Sequence, residues 1–213
     1  MRATRVKYSI QLTPVPVDQP STLMKTFRFS LAVAAALLTF TTARATTVVP
    51  PSFDELVTEA ETIFEGTCID SKSQWVGEGG QRHIVTYVTF KVEDVLKGNP
   101  GATYTLRMLG GTVDGTTMEV SDSPKFKPGN RDILFVEHNG QQFIPLVGIM
   151  HGRYRVERDQ TSGEEVVLTN HGSALSDVKN VGKDEHDAAR VAGKALAPGQ
   201  FKAAIKEKLG NQR

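Results

Sequence analysis

The chain has 213 residues, 39% hydrophobic and 23% charged, with a formal net charge of +1. That composition is globular and excludes wholesale disorder, collagen and coiled coil. A single Cys excludes an intramolecular disulfide and a multi-cysteine zinc site, and 25 Lys+Arg against 24 Asp+Glu give no overall attraction to nucleic acid.

The first recognisable element is an export signal. Phe29–Ala43 carries no charge, Lys25 and Arg28 precede or open it, and Ala43-Arg44-Ala45 stands before Thr46. A basic start, a short apolar run and an A-x-A site predict a signal peptide over residues 24–45. The competing reading, a membrane anchor, fails on length, because a spanning helix needs about 20 apolar residues. Met1–Leu23 holds Pro14, Pro16 and Pro20 and no apolar run, so it reads as a mis-assigned start ahead of Met24; a long basic region is the alternative. The expected mature protein begins at Thr46, lies in the periplasm or outside the cell, and keeps no transmembrane span. Residues 1–45 hold six cations against Asp18, a net of +5, which leaves the mature chain at −4. Nucleic acid is not an expected partner. Its 168 residues suit one domain.

Ser52 with Glu55 forms a capping-box pattern before Phe53, Leu56, Val57 and Ala60, which share one helical face. Ile63–Asp70 reads as a strand with Gly66 as a bulge or close approach. Ser71–Arg82 reads as a Gly-rich loop. His83–Leu96 alternates, with Ile84, Thr86, Val88, Phe90 and Val92 on one face, and predicts a long strand. Thr103–Leu109 returns after the Pro100-Gly101 turn. Asp114-Gly115 and Asn139-Gly140 predict two-residue hairpin turns, the latter of type I′ between Arg131–His138 and Gln141–Val147. Arg153–Arg158 and Glu164–Thr169 predict a further hairpin. Strands at this spacing without intervening helices predict an antiparallel, OB-like β-barrel over 46–170. Residues 171–213 read as a polar linker and an appended helix, Pro198–Leu209, with Phe201, Ile205 and Leu209 in one stripe; a tail docking on a partner or an anionic surface is the sharper alternative.

Three blocks carry a resemblance: Ile63-Phe64-Glu65-Gly66-Thr67, Val85–Gly98 with its Val-Leu-Lys-Gly ending, and Phe126–Phe135 with Gly129. Over Phe53–Val156 the chain resembles an OB-like barrel of the netrin/TIMP-like type, and it is similar to small exported bacterial proteins that share these blocks. The resemblance implies a binding domain, with a secreted or envelope protease among the partners. TIMP-type inhibitors present an N-terminal Cys to the protease zinc. Here Thr46 stands at the expected mature terminus and Cys68 lies inside a predicted strand, so that inhibitory chemistry does not carry over.

The chemistry-bearing residues are sparse. His83, His138, His151, His171 and His186 form no H-x-H, H-x-x-H or H-E-x-x-H pattern. Asp184-Glu185-His186-Asp187 reads as a surface charge cluster. Cys68 reads as a buried structural thiol; exposed, it would link a dimer, and as a nucleophile it would need a base. No G-x-S-x-G, S-x-x-K, P-loop or dinucleotide fingerprint occurs, so no cofactor is implied. Trp75, the one Trp, is expected either to recognise a partner or to plug the barrel end. Tyr87 and Arg153 are the accompanying binding candidates. The leading expectation is a non-enzymatic, protein-binding barrel, monomeric unless Cys68 is exposed. The alternative is a metal-dependent hydrolase built from His83, His138 and His151 with distant carboxylates.

Overall fold

The computed structural model describes residues 50–183 and 194–211. The signal segment, the Thr46 cleavage point and the Asp184–Asp187 cluster lie outside these residues. The protein is mainly β and antiparallel, with two helices among the described residues. None of these helices is long and apolar enough to cross a membrane.

Helix α1 spans Phe53–Glu59. Ser52 donates its backbone N–H to Glu55 Oε2 at 2.7 Å and its Oγ accepts from Glu55 N at 3.3 Å, which is the expected capping box. Lys97 Nζ donates to Val57 O and Thr58 O, satisfying carbonyls that the helix C-terminus leaves open. Strands β1 (Thr62–Val76) and β2 (His83–Lys97) follow as one long antiparallel pair. Then come β3 (Thr103–Leu109), β4 (Gly111–Val113), β5 (Thr116–Met118), β6 (Arg131–Val136), β7 (Arg153–Arg158) and β8 (Glu165–Thr169), and helix α2 (Pro198–Gly210). Six strands form one sheet in the order β3-β2-β1-β6-β7-β8, and β4 and β5 pair separately.

The centre of the sheet is buried on both faces. Along β6, Ile133 and Phe135 point to one side and Leu134 and Val136 to the other, and all four are buried. This two-sided burial explains the unbroken apolar run Ile133–Val136. On the first face, α1 contributes Leu56 and Val57, and α2 contributes Phe201 and Ile205. Phe201 meets Phe135 and Tyr154 ring to ring. On the second face, Phe90 of β2, Leu106 of β3 and Phe126 of the segment before β6 pack over Phe64, Leu134 and Val136. Three register irregularities interrupt β1, at Ile63/Phe64, Glu65/Gly66 and Cys68/Asp70. A Cβ at Gly66 would sit 2.7 Å from Lys91 O, so the close approach expected there is present.

The ladder does not close into the barrel that the strand pattern predicts: β3 and β8 are edges. Segment Glu137–Val147 lies across the β3 edge. Leu109 N donates to Phe143 O at 2.7 Å. Asn139 acts as a surrogate peptide, its Oδ1 accepting from Arg107 N and its Nδ2 donating to Thr105 O. This is also why Gln141–Val147 is no strand and Asn139-Gly140 no type I′ turn. Positive φ falls on His138 and Gly140, not on Asn139, whose side chain is used at the β3 edge. Pro145 lacks a ladder donor, and a single bridge, Val136 to Leu146, remains of the expected hairpin.

Other local signals hold. Asp114 (φ 49°) and Gly115 (φ 77°) join β4 to β5 with both residues left-handed, as a type I′ turn requires. β7 pairs with β8 across Asp159–Gly163. The expected loop from Ser71, in contrast, is corrected: β1 continues to Val76 and pairs there with His83–Val88.

Candidate binding surface

The outer part of the β1–β2 pair forms a ribbon in which only Val88 joins a hydrophobic cluster, although Ile84 and Val85 are themselves fully buried. Opposed residues in an antiparallel pair share a face. Trp75 opposes Ile84 and Ser73 opposes Thr86, so Trp75, Ser73 and Thr86 share one face. Thr86 Oγ1 donates to Gly110 O at 2.6 Å, and its single proton is thereby used. The 2.8 Å contact between the Ser73 and Thr86 hydroxyls is therefore donated by Ser73. A Cβ at Gly111 would lie 2.3 Å from both hydroxyl oxygens, which is why β4 can lie against the ribbon only through glycine. Ribbon, β4–β5 hairpin and the segment after β5 enclose a groove of about 220 Å³. Ser71, Ser73, Thr117 and Ser123 supply hydroxyls to it, and Met108 and Phe126 supply its apolar floor.

Trp75 sits within a strand, not in the loop expected for it, and packs in neither core. It is half-buried, and the Arg82 guanidinium lies 4.5 Å above its ring. Tyr87 opposes Lys72 and Arg107, an odd number of residues away from the Ile84 position, and so lies on the other face of the ribbon. Arg153 is a third, separate place. It is 4% exposed; its Nε donates to Asp132 Oδ1 at 2.8 Å and its Nη1 to Lys125 O and Asn170 Oδ1. Its guanidinium stacks 4.4 Å from the Phe126 ring. Burial pushes the Asp132 carboxyl above its usual range, against the opposite pull of Arg153. The structure thus does not gather Trp75, Tyr87 and Arg153 into one site.

The three His of the alternative reading are likewise dispersed. His83 Nδ1 is 2.9 Å from Gln81 O at the ribbon tip. His138 lies beside Glu61, Glu137 and Gln142 after β6. His151 is in a 3₁₀ turn, Ile149–Gly152, before β7. Among the described residues no three His, Cys, Asp or Glu side chains are placed to hold a metal ion. Cys68 is fully buried and its Sγ approaches Asp70 O at 3.6 Å; burial pushes its thiol pKa up, so it is a poor nucleophile. A disulfide-linked dimer requires it at the surface, where it is not.

A cavity of about 880 Å³ beside the α2 N-terminus is rich in charge, with an excess of carboxylates, and each of its cations is already ion-paired. Arg131 joins Glu65 and Glu165, and Lys202 joins Glu65 and Asp94. The Lys202 pairs tie α2 to β1 and β2, and the Arg131 pairs tie β6 to β1 and β8. A smaller cavity of about 340 Å³ beside Arg153 is different: Lys125, Lys127 and Arg155 line it, with Asp122 as its carboxylate. Sequence reading missed these cations. The signals were Lys125-Phe126-Lys127 ahead of Pro128-Gly129, and Arg153-Tyr154-Arg155, whose i, i+2 spacing puts both guanidiniums on one strand face. The groove's hydroxyls were hidden because Ser71 and Ser73 read as loop. Compared with known proteins, the chain matches no family model and no curated protein.

Proposed function

We propose that this is an exported, non-enzymatic binding module that recognises a protein partner in the envelope or outside the cell, with the outer β1–β2 ribbon as its contact element. The observation that carries the reading is Trp75: a large ring held outside both cores, half-buried, covered by one arginine, on the face that borders the hydroxyl-lined groove. Large aromatic rings that the core does not need are the commonest interface anchors. The finer fold reading is an OB-like barrel of the netrin/TIMP-like type in an open form, in which Glu137–Val147 stands where a closing strand would run. A secreted or envelope protease is the partner class that goes with it.

The test pairs stability with capture. Purified mature protein and its Trp75→Ala variant are used as baits against the exported fraction, and the affinity of the recovered partner is measured for both. The expected result is a melting temperature shifted by no more than a few degrees and an affinity loss of about 2 kcal/mol or more. A variant that binds the same partner as tightly as the wild type overturns the ribbon as the contact element.

A further inference from the structure

Two cavities meet at Arg153. The first, of about 340 Å³, is the cationic one lined by Lys125, Lys127 and Arg155. The second, of about 260 Å³, is more enclosed and has an apolar wall made by Met150, Ala174, Leu175 and Val181. Arg153, Asn170 and His171 line both. Together they join a cationic lining and a partly apolar one, which also carries Lys183, at one fixed guanidinium.

The guanidinium is preorganised. Asp132, Asn170, the Lys125 carbonyl and the Phe126 ring hold it on several sides. Its Nη2 makes no hydrogen bond to a described residue, and it is not among the sealed polar atoms, which are Arg131 Nε and Asp132 Oδ2. A donor that is fixed, charged and open to a cavity is the arrangement that binds an oxyanion at low entropic cost. The neighbouring cations are available to join it. The Lys127 side chain has no ion pair among the described residues. Lys125 pairs with Glu119 at an exposed site, where such pairs are weak and easily exchanged. Arg155 pairs with Glu157, and neither Glu119 nor Glu157 lines the cavity.

We propose that the paired cavities at Arg153 bind a small organic oxyanion, with its anionic head between Arg153, Lys125 and Lys127 and a compact apolar body against Met150, Leu175 and Val181. The combined dimensions fall in the range of small-molecule sites. The ligand class follows from the lining alone and is independent of the Trp75 reading.

Three probes test it on the mature protein: inorganic phosphate (head alone), phenyl phosphate (head and body) and benzoate (carboxylate head, same body). Binding is followed by amide NMR shifts at constant ionic strength, with sodium chloride as the reference. The expected result is saturable shifts at Ser123–Asn130, Arg155 and Asn170–Leu175, with phenyl phosphate at least 10-fold tighter than inorganic phosphate. Phenyl phosphate and benzoate together tell which oxyanion the head site prefers, and saturable binding of either supports the proposal. Lys127→Glu is expected to weaken phenyl phosphate at least 10-fold. Ala174→Phe, which fills the apolar cavity, is expected to remove the advantage of phenyl phosphate over phosphate. Both variants alter cavity side chains and leave the Arg153–Asp132 pair in place, so a folded spectrum is expected for each. No saturable shift with phenyl phosphate or benzoate, shifts that sodium chloride reproduces, or affinity unchanged in Lys127→Glu overturns the proposal.

Discussion

The two halves of the β1–β2 pair share one backbone ladder and differ in nearly everything else. From Thr62 to Cys68, β1 is covered on both faces, and Ile63, Phe64, Glu65, Gly66 and Cys68 are all buried. From Asp70 to Val76 it is covered on one face by β4, and no residue is fully buried. The inner half carries the register irregularities, and its β6 partners Phe135, Leu134 and Ile133 are core side chains, whereas its β2 partners include the exposed Lys91 and Val95; the outer half runs in unbroken register from Asp70 to Val76. Burial here follows what lies over the strand, not the strand itself. β1 is therefore anchored at its inner end; its outer half carries Ser71, Ser73 and Trp75, while the β2 residues opposite, Ile84, Val85 and Val88, are buried.

The sharpest way to break this comparison is to remove one large side chain from the inner half. Phe64 is fully buried and meets Phe90 and Tyr104 ring to ring. Phe64→Ala is expected to cost about 3–5 kcal/mol in urea unfolding. A cost below 1 kcal/mol would mean that the second core is not what holds the inner half. Next comes the buried ion pair where β6 meets β7. Asp132→Ala removes the Nε partner of Arg153 and leaves the 4% exposed guanidinium without its carboxylate, at an expected cost of about 3 kcal/mol or more. Replacing both residues by apolar ones is expected to recover most of that loss. Recovery shows the cost to lie in the stranded charge and not in lost packing. Gly66→Val is a smaller lever. Its new Cβ would meet Lys91 O, a backbone atom that cannot swing away, and a loss of about 1–3 kcal/mol is expected in the same assay.

These three sites differ in how far the sequence announces them. Gly66 is legible, because a lone Gly inside an apolar run signals a bulge. The Ser52–Glu55 box and the Asp114-Gly115 turn are legible because each is decided within four residues. The outer half of β1 is not. Ser71-Lys72-Ser73-Gln74 has low strand propensity, and it becomes strand because His83–Val88 needs a partner, a tertiary cause. Asn139-Gly140 misleads for the opposite reason: its local preference for a hairpin turn loses to two hydrogen bonds with the β3 edge, about 30 residues earlier in the chain. The candidate surface is half legible. Trp75 and Arg153 stand out by residue type, but Arg153 lies 21 residues from Asp132 and 28 from the Lys125 carbonyl. Nothing local indicates that these three converge, nor that Trp75 and Tyr87 face opposite ways.

Cys68 marks the junction of the two halves and gives a gentler test. Its folded pKa is raised by burial. Such a group contributes stability that is present below its unfolded pKa and is lost as pH rises towards the folded one, because the unfolded chain then releases the proton first. Stability is therefore expected to fall above about pH 8.5 more steeply in the wild type than in Cys68→Ala, even though the variant starts lower because of its cavity. Parallel profiles for the two proteins would place the thiol outside the inner half. The same burial predicts slow labelling by a thiol reagent in native buffer and fast labelling in urea.

The smallest expected effect is the most discriminating. Trp75 is a larger side chain than Phe64, and by size alone its removal would cost more. By position it is expected to cost less: Trp75 is half-buried and in neither hydrophobic cluster, although it opposes the buried Ile84, and the cation–π contact with Arg82 is worth about 0.5–1 kcal/mol. Trp75→Ala is thus expected to lower stability by about 1 kcal/mol or less, several-fold below Phe64→Ala in the same strand. Arg82→Ala provides the internal control. It removes the same contact while leaving the ring in place, so its stability cost is expected to match that of Trp75→Ala within about 0.5 kcal/mol. Partner affinity is expected to separate the two, falling for Trp75→Ala and holding for Arg82→Ala, whose ring is more exposed to the partner. If Trp75→Ala instead costs as much stability as Phe64→Ala, the ribbon is part of the core, and the division of the β1–β2 pair into an anchoring half and a recognising half is wrong.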